Sequence, residues 1–192
     1  KVWRNAARIY HRRAEFERSI KAFREALQFF RAAKDEPNEA LMLQDLGVVY
    51  QDGARIADAR RNYQEALAIQ KRLGSLFRQS QLIGNLASLE SDEENYAEAI
   101  RLFEEARRLG VAAGDTSGES TFLTNLALIY QRLGRNEDAE RHHRAAVEED
   151  RRRNDRRSLM VALHNYSVFL TIQNRLDEAI EKGLESAKLS AE

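Results

Sequence analysis

Cysteine is absent from this 192-residue chain, so no disulfide framework holds it and no thiol serves as nucleophile or metal ligand. Proline occurs once, as Pro37, and glycine is sparse, so the chain can run as helix almost throughout. No apolar run approaches the ~20 residues needed to span a bilayer. Arg and Lys scattered through the opening residues exclude a signal-peptide pattern there. Net charge is lacking too: 31 Lys and Arg balance 31 Asp and Glu, which leaves no overall field to attract nucleic acid or an anionic membrane. These absences predict a cytoplasmic protein without membrane attachment, for which nucleic acid is a disfavoured partner.

What is present is a repeat, and self-similarity is the first thing to seek. Asn5, Asp45, Asn85, Asn125 and Asn165 recur every 40 residues. Two places on stand the small residues Ala7, Gly47, Ala87, Ala127 and Ser167; further sets are Ser19, Ala59, Ala99, Ala139, Ala179 and Ala26, Ala66, Ala106, Ala146, Ser186. Between these last two lie Phe23, Tyr63, Phe103, His143 and Gly183. Apolar residues at spacings of three and four, such as Leu123, Leu126, Ala127 and Tyr130, form one stripe of an amphipathic helix. Small residues allow close helix crossings, and the aromatics fill the space beside them.

The pattern predicts an all-α chain of ten helices, A and B in each of five repeats at about 1–35, 36–75, 76–115, 116–155 and 156–192. The A helices are expected near 1–13, 37–52, 76–92, 116–133 and 156–173, and the B helices near 16–33, 56–73, 96–112, 136–153 and 176–190. Gly53, Gly134 and Asn174 mark turns within repeats; Lys34, Gly74, Gly114 and Asn154 mark turns between them, with Lys34 the poorest fit to a left-handed helix end. Pro37 suits a helix start, and Asp115, Thr116 and Asp155 suit N-caps.

These residues resemble the tetratricopeptide repeat. Leu43, Leu46, Gly47, Tyr50, Ala59, Tyr63 and Ala66 fit its pattern in the second repeat, as do Trp3, Ala7, Tyr10, Phe23 and Ala26 in the first and Ile83, Leu86, Ala87, Ala99, Phe103 and Ala106 in the third. The period of 40 exceeds the usual 34 and is similar to the long-repeat branch of kinesin light chains, LGN-type polarity adaptors and bacterial signalling ATPases and regulators. HEAT repeats share the period but not the residue pattern. The resemblance implies a right-handed α-solenoid with A helices lining a concave groove. The fifth repeat is degenerate, with Gly183 in the aromatic place, and its B helix is expected to pack loosely. The ends look unfinished, which predicts a segment of a larger protein or ends that meet another subunit.

In long-repeat relatives the matching Asn faces the groove and holds peptide backbone, since an amide donates and accepts together. The expected peptide- or protein-binding groove is therefore Asn5, Asp45, Asn85, Asn125 and Asn165, with Arg4, Arg8, Gln44, Gln51, Gln81, Thr121, Gln131 and His164 nearby. Arg12, Val48, Ser88, Thr124, Leu128, Arg132 and Val168 extend this set. No Lys-and-Asn clamp for a free C-terminal carboxylate is apparent. Arg151, Arg152, Arg153, Arg156 and Arg157 form a basic knot beside Glu148, Glu149, Asp150 and Asp155, which reads as a solvated turn of helix-end pairs. His142 and His143 point to different sides of one helix, His143 as half-buried packing, and no histidine pair has metal-ligand spacing. Adjacent acid pairs do not face one another on a helix, and no phosphate loop or nucleophile motif occurs. The sequence thus predicts a non-enzymatic binding scaffold without cofactor or metal, in a bacterial regulatory or signalling setting. A homo-oligomerising structural module and an RNA-contacting repeat are the alternatives.

Overall fold

In a computed structural model, which describes residues 2–114 and 116–191, the chain folds into ten helices and, among those residues, no strand. Two compact units form, Lys1–Ala113 and Gly114–Glu192. The first holds α1 (Val2–Arg12), α2 (Phe16–Ala32), α3 (Glu36–Asp52), α4 (Ile56–Arg72), α5 (Leu76–Asp92) and α6 (Tyr96–Ala112). The second holds α7 (Glu119–Arg132), α8 (Asn136–Arg152), α9 (Arg156–Ile172) and α10 (Leu176–Ala191). Odd-numbered helices are the A helices, and each packs on the B helix that follows it.

Helix ends follow a 20-residue rhythm. Positive φ occurs at Ala14, Lys34, Ala54, Gly74, Glu94, Gly114, Gly134, Asn154 and Asn174. The expectation for Gly53 is corrected: its φ is −84°, and Ala54, at 56°, takes the left-handed place. Arg55 N–H then reaches back to the Tyr50 carbonyl at 2.8 Å, closing the helix end. Lys34 does adopt the left-handed conformation. At the other ends, the side chains of Asp35, Ser75 and Asp155 accept from the backbone N–H of Asn38, Arg78 and Ser158. Helix α7 starts at Glu119 behind Gly118, three residues later than its spacing suggested, and has no side-chain cap. The proposed cap Asp115 and the side chain of Trp3 lie outside the described residues.

The small and aromatic positions form the core. Ala7, Ala59, Ala66, Ala87, Ala99, Ala106, Ala127 and Ala139 are fully buried, as are Phe23, Tyr63 and Phe103. Burying such rings contributes about 1.5–3 kcal/mol each. Gly47 lies so close to Tyr63 that an added Cβ would stand 2.5 Å from Cδ1 and 2.9 Å from Cζ of its ring. In the fifth repeat the Ser167 hydroxyl is the near neighbour of Gly183, and Ile180 and Leu184 are exposed.

Candidate peptide-binding surfaces on the A helices

Residues 41 apart meet on neighbouring A helices of the first unit. Arg4 Nε donates to Asp45 Oδ2 at 2.5 Å, and its Nη2 to Oδ1 at 3.3 Å. His11 Nε2 lies 2.7 Å from Asp52 Oδ2, and Gln51 Nε2 donates to Asp92 Oδ2 at 2.9 Å. The Gln51 oxygen also accepts from the Tyr63 hydroxyl at 3.0 Å. This ladder occupies Arg4, Asp45 and Gln51 with one another's helices. Gln81 accepts from Arg78 at 3.1 Å, and Ser88 bonds the Gly84 carbonyl one turn back. Gln44 and Asn85, also 41 apart, have no side-chain hydrogen bond among the described residues and are both half-buried. Asn5 and Arg8 are exposed and line a shallow depression of about 520 Å³ with Ile9, His11 and Arg12.

The second unit leaves the ladder open. Thr124 and Asn165 occupy the places of Arg4 and Asp45, yet no hydrogen bond joins them. Between α7 and α9 runs a cleft of about 320 Å³ lined by Thr121, Thr124, Asn125, Leu128, Val161 and Asn165, with Arg157 and Ser158 at its wall. The Asn125 and Asn165 amides are half-buried and free of hydrogen-bond partners among the described residues. Leu128 and Val161 are 41% and 49% exposed, so the cleft offers apolar contact beside unsatisfied donors and acceptors. His164 does not join it; it lines a separate cleft between α9 and α10 with Met160, Gly183 and Ser186. Gln131 is half-buried and Val168 exposed, both outside the cleft. Val161 was absent from the expected site although the signal existed: it stands 40 residues after Thr121 and 80 after Gln81.

The basic knot is largely neutralised locally. Arg151 pairs with Glu185 at 2.5 Å and Arg152 with Glu149 at 2.7 Å. Arg153 donates to the Thr116 and Ser117 carbonyls at 3.1 and 3.0 Å. Only Arg157 of this group reaches the cleft.

His143 is corrected from half-buried to fully buried. Its ring stacks on Tyr166 with centroids 5.7 Å apart and packs on Phe169 at 5.2 Å. Neither ring nitrogen has a hydrogen-bond partner, and burial lowers its pKa to about 4. His142 bonds the Asp138 carbonyl at 2.7 Å and lies on Tyr130. Buried Asp150 accepts from the Ser120 hydroxyl, its other oxygen has no partner, and burial raises its pKa. Among the described residues no group of three or more potential ligands is placed to hold a metal ion, and no helix is long and apolar enough to cross a membrane.

The tetratricopeptide repeat family model matches residues 1–72, 78–152 and 118–192. This chain belongs to the tetratricopeptide repeat family. No curated protein matches its sequence. Among solved structures, this tetratricopeptide repeat protein is similar to BtubC from P. vanneervenii, with TM-score 0.77 and 19% identity over 96% of this chain and 77% of that one. It is similar also to aspartyl phosphate phosphatase F from Bacillus subtilis, with TM-score 0.88 and 20% identity over 96% of this chain and 49% of that one. A Rap protein complexed with Competence and Sporulation Factor gives TM-score 0.84 and 17% identity over 97% of this chain and 53% of that one. At these identities the likeness is one of fold.

Proposed function

We propose that this tetratricopeptide repeat protein is a peptide- or protein-binding scaffold, and that the α7–α9 cleft is its main recognition surface. The observation that carries this reading is the pair of free amides, Asn125 and Asn165, set in one cleft beside Leu128 and Val161. An amide can satisfy both the N–H and the C=O of an extended peptide. Each such bond contributes about 0.5–1.5 kcal/mol, so apolar side chains on Leu128 and Val161 must add to them. Arg157 at the wall favours an acidic residue in the ligand. In the first unit, Asn85 with Gln44, and Asn5 with Arg8, are lesser surfaces of the same kind. That a Rap protein of similar fold was solved with Competence and Sporulation Factor bound supports a binding role. A regulatory setting is favoured by similarity to a Bacillus phosphatase and to a signal transduction ATPase with a tetratricopeptide repeat sensor.

The test is selection of peptides from a random displayed library on the purified chain, followed by affinity measurement on Asn125→Ala/Asn165→Ala. The double variant should lose roughly tenfold or more in affinity, about 1.4 kcal/mol or above, with unchanged helicity. Equal affinity for both proteins would refute this cleft as the binding surface.

A further inference from the structure

The ladder of the first unit tells which side of an A helix looks back at its neighbour. Asp45, Asp52 and Asp92 each meet a side chain of the A helix before their own. On α9 the same places are Asn165 and Ile172, so this side of α9 looks towards α7. Val161 and Val168 stand four residues before Asn165 and three after it, on the same face. Val168 is 46% and Ile172 60% exposed, much as Val161 is. An A helix packed alongside does not cover such places. Leu128 holds the place of Val168 on α7, against which α9 packs, and it is exposed all the same. The place of Ile172 carries an exposed charge on the other A helices, as Arg12, Asp52, Asp92 and Arg132. α9 puts an aliphatic side chain there instead.

Single exposed aliphatics are ordinary on a protein surface. Here Leu128, Val161, Val168 and Ile172 make one apolar face that begins in the α7–α9 cleft and runs past it towards the C-terminal end of α9. Arg157 stands at the opposite end. Between them lie the amides of Asn125 and Asn165, without hydrogen-bond partners among the described residues. A helical ligand satisfies its own backbone and would leave both amides unpaired, whereas an extended one offers them N–H and C=O groups. Charge, amides and apolar face thus fit one occupant, an extended peptide lying along α9. Two rises give its register. Val161 lies about 6 Å along α9 from Arg157, and the middle of the Val168–Ile172 pair about 20 Å. An extended chain advances about 3.3 Å per residue and turns every second side chain to one side. The first, third and seventh residues of such a ligand fall opposite Arg157, Val161 and the Val168–Ile172 pair.

We infer, on the reading of the α7–α9 cleft as the recognition surface, that it selects an extended segment of about seven residues with an acidic side chain at one end, an aliphatic or aromatic one two places on, and a second at the far end. Val168 and Ile172 set the specificity for that last residue, and Arg157 for the first.

Selection from a displayed library of random seven-residue peptides on the full chain reads this pattern. The wild type should enrich an acid at one terminal place and apolar residues at the third and seventh places from that end, in one chain direction. Val168→Ser/Ile172→Ser should keep the first two preferences and lose the last, and should bind the wild-type peptides roughly tenfold more weakly. Arg157→Glu should turn the acidic preference into a basic one and leave both apolar preferences in place. All three positions are exposed, so circular dichroism should show unchanged helicity. Equal affinity of the selected peptides for the wild type and for Val168→Ser/Ile172→Ser, with binding still lost in Asn125→Ala/Asn165→Ala, would overturn the inference and leave the cleft as the recognition surface. Unchanged affinity in Asn125→Ala/Asn165→Ala would overturn both. A bound peptide found helical by nuclear magnetic resonance would overturn the extended register.

Discussion

Two ring nitrogens without hydrogen-bond partners set His143 at odds with its surroundings. The equivalent places hold Phe23, Tyr63 and Phe103, and His143 fills the same slot as a neutral aromatic. Its pKa falls from 6.5 to about 4, chiefly through burial and then through the neighbouring His142. The sign follows by linkage. The unfolded chain binds this proton more tightly, so the contribution to stability is complete above about pH 6.5 and declines as pH falls towards 4, by up to roughly 3 kcal/mol. His143→Phe should remove that decline and also raise stability at neutral pH. Urea titrations of both proteins at several pH values check this; parallel pH profiles would contradict it. Gly47 is the second informative residue. Gly47→Ala gains about 1 kcal/mol of helix propensity, but its Cβ would overlap a Tyr63 ring held by its buried packing and by the Gln51 bond. A net loss of about 1–3 kcal/mol is expected in equilibrium unfolding.

At the scale of the element, left-handed residues end the A and the B helices alike in a 20-residue rhythm. Glycine or asparagine fills five of those nine places, but Ala14, Lys34, Ala54 and Glu94 carry a Cβ through a conformation that costs about 1–2 kcal/mol. Glu94→Gly should therefore stabilise the first unit by about 0.5–1 kcal/mol, part of the gain being offset by greater freedom of the unfolded chain. A rise in thermal midpoint measures it, and a fall would mean the Glu94 side chain holds the turn. These elements also show what the sequence made legible. The small and aromatic positions announced every helix, because close helix packing admits few residue types there. Ala54 was missed and Gly53 chosen because glycine is the usual signal for a left-handed end, and here the true position is marked only by spacing. The start of α7 was placed three residues early because Asp115 and Thr116 are the usual cap residues, whereas the helix begins behind Gly118 with no side-chain cap.

Across the whole molecule, the same repeat position serves two ends. In the first unit Arg4 with Asp45, His11 with Asp52 and Gln51 with Asp92 bind helix to helix. In the second unit Thr124 and Asn165 leave the corresponding contact open, and the cleft between α7 and α9 keeps its amides free. The sequence identified the Asn row and the neighbouring Thr121, but not which members are already engaged. That depends on which side chains 41 residues apart are complementary, a relation set by the crossing of adjacent A helices rather than by the 40-residue period. In the proposed function, the free amides of Asn125 and Asn165 receive a ligand backbone. The most direct measurement is nuclear magnetic resonance of the side-chain amides of the ¹⁵N-labelled chain, titrated with a library-selected peptide. The largest shifts should fall at Asn125 and Asn165, with the engaged Gln51 amide unmoved. Shifts confined to other helices, with these two amides unchanged, would contradict it.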